Sequence, residues 1–329
     1  MTMKKMKAMV ATRYGSHEVL QLQFVDQPTP KADEVLVKVM TSAATTADAM
    51  MLTGKPYFTR LFIGFTKPKK AIPGTGFAGI VEAVGSEVAK FKAGDRVFGE
   101  TAFNFSANAE YITISENAVV LPMPDALDFS EAANFCDGHL TSYNFLKEIA
   151  QLKEGQKALI NGASGSLGTS AVQIAKYFGA HVTAVSSSKN AGLVKSLGAD
   201  KIIDYKKEDF TQSDEQYDFV YDTIGKSSFQ KCKRILKPEG VYLSPVLQLP
   251  LLLAMIKTSF SKGKKAKFEA TGTNTKDKLR RMLTEVLEIY QTGKLKTVID
   301  RQFPLEKLGE AHQYISTGRK RGNVVIYNV

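Results

Sequence analysis

The chain has 329 residues, enough for two domains that each bury a core, and 43% of them are hydrophobic, as in a globular protein. Its net charge of +11 sits partly in lysine runs without interleaved aromatics, which argues against a dedicated nucleic-acid binder. No apolar stretch reaches the roughly 18–20 residues that span a bilayer, the N-terminal MTMKKMKAMVATRYG lacks the apolar core of a signal peptide, and Cys136 and Cys232 imply no disulfide framework, so a cytoplasmic protein without a transmembrane segment is expected.

Residues 1–125 read as strands joined by loops. Met6–Thr12 and Val19–Val25 are strand-like, Pro28-Thr29-Pro30 breaks the chain, and Glu34–Met40 alternates as a half-buried strand. Ala43–Leu52 reads as a short helix. The glycine-dense Gly74–Gly79 leads into a strand at Ile80–Val84, and Gly94–Gly99 turns into another. Ala109–Ile114 and Val119–Pro122 follow. Closely spaced strands with glycine turns predict a small rolled sheet or partial barrel.

Beyond residue 125 the rhythm changes. Ser130–Ala150 is helical in composition, with Asp128 or Ser130 as its cap. Strands are then predicted at Ala158–Asn161, Val182–Val185, Lys201–Asp204, Phe219–Asp222 and Gly240–Ser244. The helices between them fall at Leu167–Phe178, Ala191–Leu197 and Phe229–Leu236. This alternation predicts an α/β doubly wound parallel sheet, to which Lys267–Ala270 adds a sixth strand. Lys276–Tyr290 is a strong amphipathic helix. The last segment, Asn323–Tyr327, is a strand that would close either domain and is assigned to the first.

The turn from Gly162 to Gly168, GASGSLG, follows a short apolar run and opens a helix whose Leu167, Ala171, Ile174, Ala175 and Phe178 recur on one face. Free N–H groups at a helix N-terminus form a cradle for a diphosphate, although a plain strand-to-helix turn has the same pattern.

Taken in order and spacing, several segments resemble the medium-chain dehydrogenase/reductase superfamily, in its zinc-independent, quinone oxidoreductase-like branch. They include Gly74–Val81, Phe91–Gly99, Leu140-Thr141-Ser142-Tyr143, Gly162–Gly168, Ser196–Asp200, Ile203-Asp204-Tyr205, Gly293-Lys294-Leu295 and Pro304-Leu305-Glu306. The resemblance implies a GroES-like partial β-barrel catalytic domain (residues 1–125 and 272–329) and a Rossmann dinucleotide-binding domain (residues 126–271). It also implies a homodimer formed through the last Rossmann strand.

Zinc-dependent relatives carry a Cys and a Gly-His-Glu where this chain has Thr45-Thr46-Ala47-Asp48 and Gly74-Thr75-Gly76. The four histidines are scattered, and no convergent ligand set is expected. The resemblance places a dinucleotide on Thr141, Ser164, Gly165, Ser166, Leu167, Gly168, Thr223, Ile224, Leu243, Ser244, Phe268 and Asn323, the last replacing a frequent Lys. About 20 residues past the glycines, where NAD-specific folds carry an acidic residue, the chain reads Val185-Ser186-Ser187-Ser188-Lys189-Asn190, without a carboxylate. Hydroxyls and an ammonium suit a 2′-phosphate, which the resemblance places on Ser187 and Tyr205 with Lys189 beside them, so NADPH is expected; the same serines also read as a helix cap.

Without a metal, hydride transfer to a quinone or to the β-carbon of an α,β-unsaturated carbonyl needs least Lewis-acid help. Thr45, Tyr57 and Tyr143 are the candidate residues for a small lipophilic substrate, and each also reads as a packing residue. The competing readings are a zinc-free alcohol dehydrogenase or aldehyde reductase, and an NADPH-binding interaction protein with little turnover. Leu247–Lys267, a short apolar helix followed by lysines, reads as a core or interface helix, or as a lid or membrane-touching element.

Overall fold

The computed structural model describes residues 4–328, apart from the side chains of Phe58 and Phe103. The chain divides into two compact units. One holds Met1–Asp137, Gly272–Thr284 and Thr297–Val329; the other holds Gly138–Thr271 and Glu285–Lys296.

The first unit opens with an antiparallel pair, β1 (Lys5–Val10) and β2 (Gln21–Asp26). The eleven-residue β3 (Glu34–Ala44) then runs into α1 (Thr46–Thr53) and the short α2 (Arg60–Ile63). Strands β4 (Gly76–Val84), β5 (Arg96–Glu100), β6 (Tyr111–Ser115) and β7 (Val119–Pro122) follow, and α3 (Phe129–Ala132) is capped by Asp128, whose Oδ1 accepts the Ser130 N–H at 2.7 Å. Val35, Val37 and Val39 pack with Phe77, Val81, Val97, Ile112, Ile114 and Val120 in one core. The length of β3 lets it pair with β6 over its first half while β4 covers its other edge.

The second unit is the parallel layer. Its elements are α4 (Leu140–Tyr143), β8 (Lys157–Asn161), α5 (Ser166–Tyr177), β9 (His181–Ser186), α6 (Ala191–Ser196), β10 (Lys201–Asp204), β11 (Tyr217–Asp222), α7 (Phe229–Cys232), β12 (Leu236–Leu243), α8 (Leu249–Ser259) and β13 (Lys265–Lys267). The strand order is β10-β9-β8-β11-β12-β13, every pair parallel. The chain therefore winds outward from β8 one way and returns to β11 on its other side. The crevice where that order reverses opens at the carboxyl ends of β8 and β11. Leu159, Val185, Tyr217, Val220, Cys232 and Tyr242 are among the buried residues of this core, each large apolar side chain contributing about 1.5–3 kcal/mol by burial.

The chain ends with α9 (Lys276–Gln291), β14 (Ile299–Pro304), α10 (Leu308–Ser316) and β15 (Asn323–Tyr327). β15 pairs antiparallel with β3 and parallel with β14, so the last strand completes the sheet of the first unit, in the order β14-β15-β3-β4-β5-β7.

Three elements differ from the sequence expectation. The helix expected over residues 130–150 is broken: α3 ends at Ala132, and π-helical turns at Phe135–His139 and Asn144–Ile149 flank α4. The helix expected to reach Leu236 stops at Cys232, because the Ile235 carbonyl accepts the Tyr217 N–H and Leu236 joins the sheet beside Tyr217. The sixth strand forms at Lys265–Lys267, before the residues expected, because Val241, Tyr242 and Leu243 find their partners there.

Candidate dinucleotide site and substrate residues

Three glycines shape the turn after β8, for three different reasons. Gly162 has φ +78°, and a Cβ on it would lie 2.7 Å from both Thr223 Oγ1 and Ile224 Cγ2. Gly168 sits on α5 where a Cβ would come within 2.1 Å of the Gly162 carbonyl oxygen, so helix and turn touch backbone to backbone. Gly165 is different: its φ is −84°, and the nearest atom to a Cβ would be the Gly162 oxygen at 3.5 Å. Neither backbone conformation nor packing asks for glycine there. The open space above Gly165, beside the first turn of α5, fits a diphosphate approaching the positive end of the helix.

The parallel sheet gathers the other expected contacts along its carboxyl edge. Ser164 accepts from the Asn190 side chain at 2.8 Å, tying the turn to the end of β9. Ser166 and Leu167 open α5, and the hydroxyl of Ser142, next to Thr141, donates to the Leu167 carbonyl at 2.8 Å. Thr223 and Ile224 follow β11; the Thr223 hydroxyl donates to the Asn161 carbonyl at 2.8 Å, while Ile224 is exposed. Leu243 ends β12 with its side chain in the core, and Ser244 follows it, also buried. Phe268, just past β13, packs against the same core. Asn323 belongs to the first unit, on β15, where its amide donates to the Val298 carbonyl at 3.0 Å.

At the end of β9, Ser187 makes no side-chain capping bond, and Lys189 and Tyr205 are exposed. The sequence expectation that no carboxylate reaches this place is corrected here. Parallel register sets Asp204 of β10 opposite Ser186 of β9, and the Ser188 hydroxyl donates to Asp204 Oδ2. That bond, with the Lys206 N–H at 3.0 Å on Oδ1, holds the Asp204 carboxyl below the usual carboxylate range, so it is ionised at neutral pH. A reading along one strand misses a charge delivered by its neighbour.

Asp222, at the end of β11, was also missed. It is fully buried and accepts from Asn161 Nδ2 and Tyr242 Oη, both at 2.9 Å, and from the Ser227 N–H at 2.7 Å. These bonds tie the ends of β8, β11 and β12 together beneath the glycine turn. Burial, and then Asp222, push the Tyr242 phenol well up.

The substrate candidates fall in both units. Thr45 caps α1: its hydroxyl donates to Asp48 Oδ2 at 2.7 Å and accepts the Asp48 N–H at 2.9 Å. Both residues are buried, and Asp48 is pushed up to about 7, chiefly by desolvation. Tyr57 is exposed, and the Arg60 guanidinium lies 4.9 Å from its ring and 4.4 Å from that of Tyr14. Leu61, Phe62 and Phe65 are exposed beside it in sequence. Tyr143 belongs to the second unit, buried with its ring 6.1 Å from that of Phe178. His139 and His312 are buried, and desolvation lowers them to about 3 and about 4, so both are neutral at pH 7. Among the described residues, no three His, Cys, Asp or Glu side chains converge to hold a metal ion. No helix among them is long and apolar enough to cross a membrane.

Residues 31–125 match a family model described as alcohol dehydrogenase GroES-like domain, and residues 197–326 match one described as zinc-binding dehydrogenase. The chain is 35% identical to 2-methylene-furan-3-one reductase of Solanum lycopersicum, over 99% of its own length and 80% of that protein's. It is 31% identical to the chloroplastic NADPH-dependent alkenal/one oxidoreductase of Arabidopsis thaliana, with the same coverage of 99% and 80%. Among solved structures, the quinone oxidoreductase from Coxiella burnetii superposes with a TM-score of 0.87 at 27% identity, covering 98% of this chain and 99% of that one.

Proposed function

The chain belongs to the medium-chain dehydrogenase/reductase superfamily, in its zinc-independent, quinone oxidoreductase-like branch, and from that premise we propose how its residues serve the reaction. It is an oxidoreductase that reduces a quinone, or the β-carbon of an α,β-unsaturated carbonyl, with a nicotinamide cofactor. The observation that carries the cofactor site is the pair Gly165 and Gly168: one glycine is required by packing, and the other only by what approaches it.

NADPH is the cofactor of this reading, and when bound it supplies the hydride. The α5 N-terminus with Ser164, Gly165, Ser166 and Leu167 holds the diphosphate. Ser187, Lys189 and Tyr205 hold the 2′-phosphate, while Thr141, Thr223, Ile224, Ser244 and Phe268 line the nicotinamide end. Leu243 supports from the core. Exposed Lys189, Lys206 and Lys207 favour the phosphate. The ionised Asp204 opposes it and can accept from ribose hydroxyls, so the preference for NADPH is tempered.

The substrate is lipophilic in this reading. The exposed Tyr57, Leu61, Phe62 and Phe65 supply apolar surface for it, and Tyr57 is the residue we assign to contact. Thr45 acts through Asp48 as a cap, and Tyr143 packs from within its own unit. Zinc independence rests on Thr45-Thr46-Ala47-Asp48 and Gly74-Thr75-Gly76 in the places where zinc-dependent relatives carry ligands. The catalytic domain is read as residues 1–125 and 272–329, and the Rossmann domain as residues 126–271; the compact units differ from that reading in placing residues 126–137 with the first and 285–296 with the second. A homodimer through the free edge of β13 and a cytoplasmic location complete the reading, the latter supported by two buried free thiols.

The test is a stopped-flow screen of NADPH oxidation over a panel of quinones and enones, with NADH in parallel. Turnover of at least one of these classes, faster with NADPH, is expected. Faster turnover with NADH would overturn the cofactor assignment, and turnover only of simple alcohols would overturn the substrate class.

A further inference from the structure

Helix α8 is apolar on two opposite faces, and only one of them is used. Leu251 and Thr258 are buried, and Ala254 and Met255 pack on the core of the second unit. On the other side, Leu249, Leu252, Leu253 and Ile256 are exposed, and Phe260, directly after the helix, is 89% exposed. At helical spacing these five side chains lie within one arc of roughly 100°. A stripe of large apolar side chains facing water needs an occupant.

The charges around the stripe say which. The segment Leu247–Phe268 holds five lysines (Lys257, Lys262, Lys264, Lys265 and Lys267) and no acidic residue. Lys265 Nζ closes the C-terminal end of the helix, donating to the Thr258 and Ser261 carbonyls at 2.6 Å each, and Lys264 and Lys267 donate to the Lys233 and Ile149 carbonyls. Lys257 and Lys262 are left exposed, and neither forms an ion pair among the described residues. Pairing two such faces would set like charges beside each other with nothing acidic in the segment to answer them. An anionic lipid surface answers both features, burying the apolar stripe below the headgroups and meeting the lysines at their level. Eleven residues of helix extend only about 16 Å, so α8 would lie along such a surface, not cross it.

We propose that α8, with the lysines that follow it, is a docking element for anionic membrane surfaces. The proposal is independent of the cofactor and substrate reading, and its test uses no turnover. The full-length protein is sedimented with vesicles of phosphatidylcholine alone and with vesicles containing phosphatidylglycerol. Binding to the anionic vesicles is expected to exceed binding to the zwitterionic ones by about tenfold or more, and to weaken as ionic strength rises well above about 0.1 M. A Leu253→Asp/Ile256→Asp variant should lose the binding, and a Lys257→Glu/Lys262→Glu variant should lose the anionic preference. All four substitutions are at exposed positions, and thermal melting checks that each variant folds.

The chain has no tryptophan, so Phe260→Trp installs a single reporter. Its emission should shift to the blue on adding anionic vesicles. No binding to anionic vesicles, or binding unchanged by the Leu253→Asp/Ile256→Asp variant, would overturn the proposal. So would a wild-type dimer that the same variant dissolves, since this face would then cover a second copy.

Discussion

Thr45 and Asp48 close a reciprocal pair at the start of α1: hydroxyl to carboxylate at 2.7 Å, backbone N–H to hydroxyl at 2.9 Å, and a second backbone N–H, that of Thr45, to the carboxylate at 3.0 Å. The hydroxyl proton is committed to Asp48 and is not aimed at a substrate carbonyl. Thr45→Ala should therefore lower stability by about 1–2 kcal/mol, the loss of a helix cap, with kcat/KM changed only a few-fold. Urea denaturation and steady-state rates on one preparation check this. A hundredfold loss of kcat in a folded variant would make Thr45 catalytic.

The same carboxyl sets a pH dependence. Burial raises Asp48 from an ordinary 3.8 to about 7, so between those values the folded chain holds a proton that the unfolded chain has lost. Stability from this group is then fully present below about 4 and is lost as pH rises toward 7, by at most about 4 kcal/mol at roughly 1.4 kcal/mol per pH unit. Denaturation midpoints measured from pH 5 to pH 8 should fall, and Asp48→Asn should flatten the decline. A profile that is equally steep in the variant would assign the slope elsewhere.

Gly165 and Gly168 should separate folding from binding. Gly168→Ala drives a methyl into the Gly162 carbonyl and should cost about 2–3 kcal/mol or prevent folding. Gly165→Ala meets only an oxygen at 3.5 Å and should leave the melting temperature within a few degrees, while weakening NADPH at least about tenfold by calorimetry. Unchanged affinity in Gly165→Ala would remove the diphosphate from this turn.

Asp204 should tune the choice of cofactor. Asp204→Asn removes a full negative charge from beside Ser188 and should raise the NADPH-to-NADH ratio of kcat/KM by about three- to tenfold. Binding of 2′,5′-ADP should tighten against that of 5′-ADP, measured without turnover. A fall in the ratio would mean that Asp204 holds Ser188 in place for the phosphate.

Much of this was legible before the structure. The β8–turn–α5 unit announces itself because periodicity switches from a short apolar run to a 3.6-residue stripe across a glycine turn, all local information. The end strand Asn323–Tyr327 was legible as a strand, and only pairing with β3 settled its sheet. What escaped depends on neighbours distant in sequence. Asp204 reaches Ser188 through interstrand register, Asp222 gathers partners from the two strands that flank its own, and α7 is cut short because Tyr217 recruits Ile235 to the sheet. The apolar run around residue 250 was evident, but its division into a packed and an exposed face became visible only once α8 was seated on the core.

The two glycines of the turn, three residues apart, answer to different filters. A change at Gly168 is exposed the moment the chain tries to fold, and quality control removes it. A change at Gly165 passes that inspection, because the chain itself does not miss the lost space. If the cofactor reading proposed above holds, such a variant would accumulate at normal levels, melt normally and bind NADPH weakly, so a library screened for abundance alone would score Gly165 as expendable.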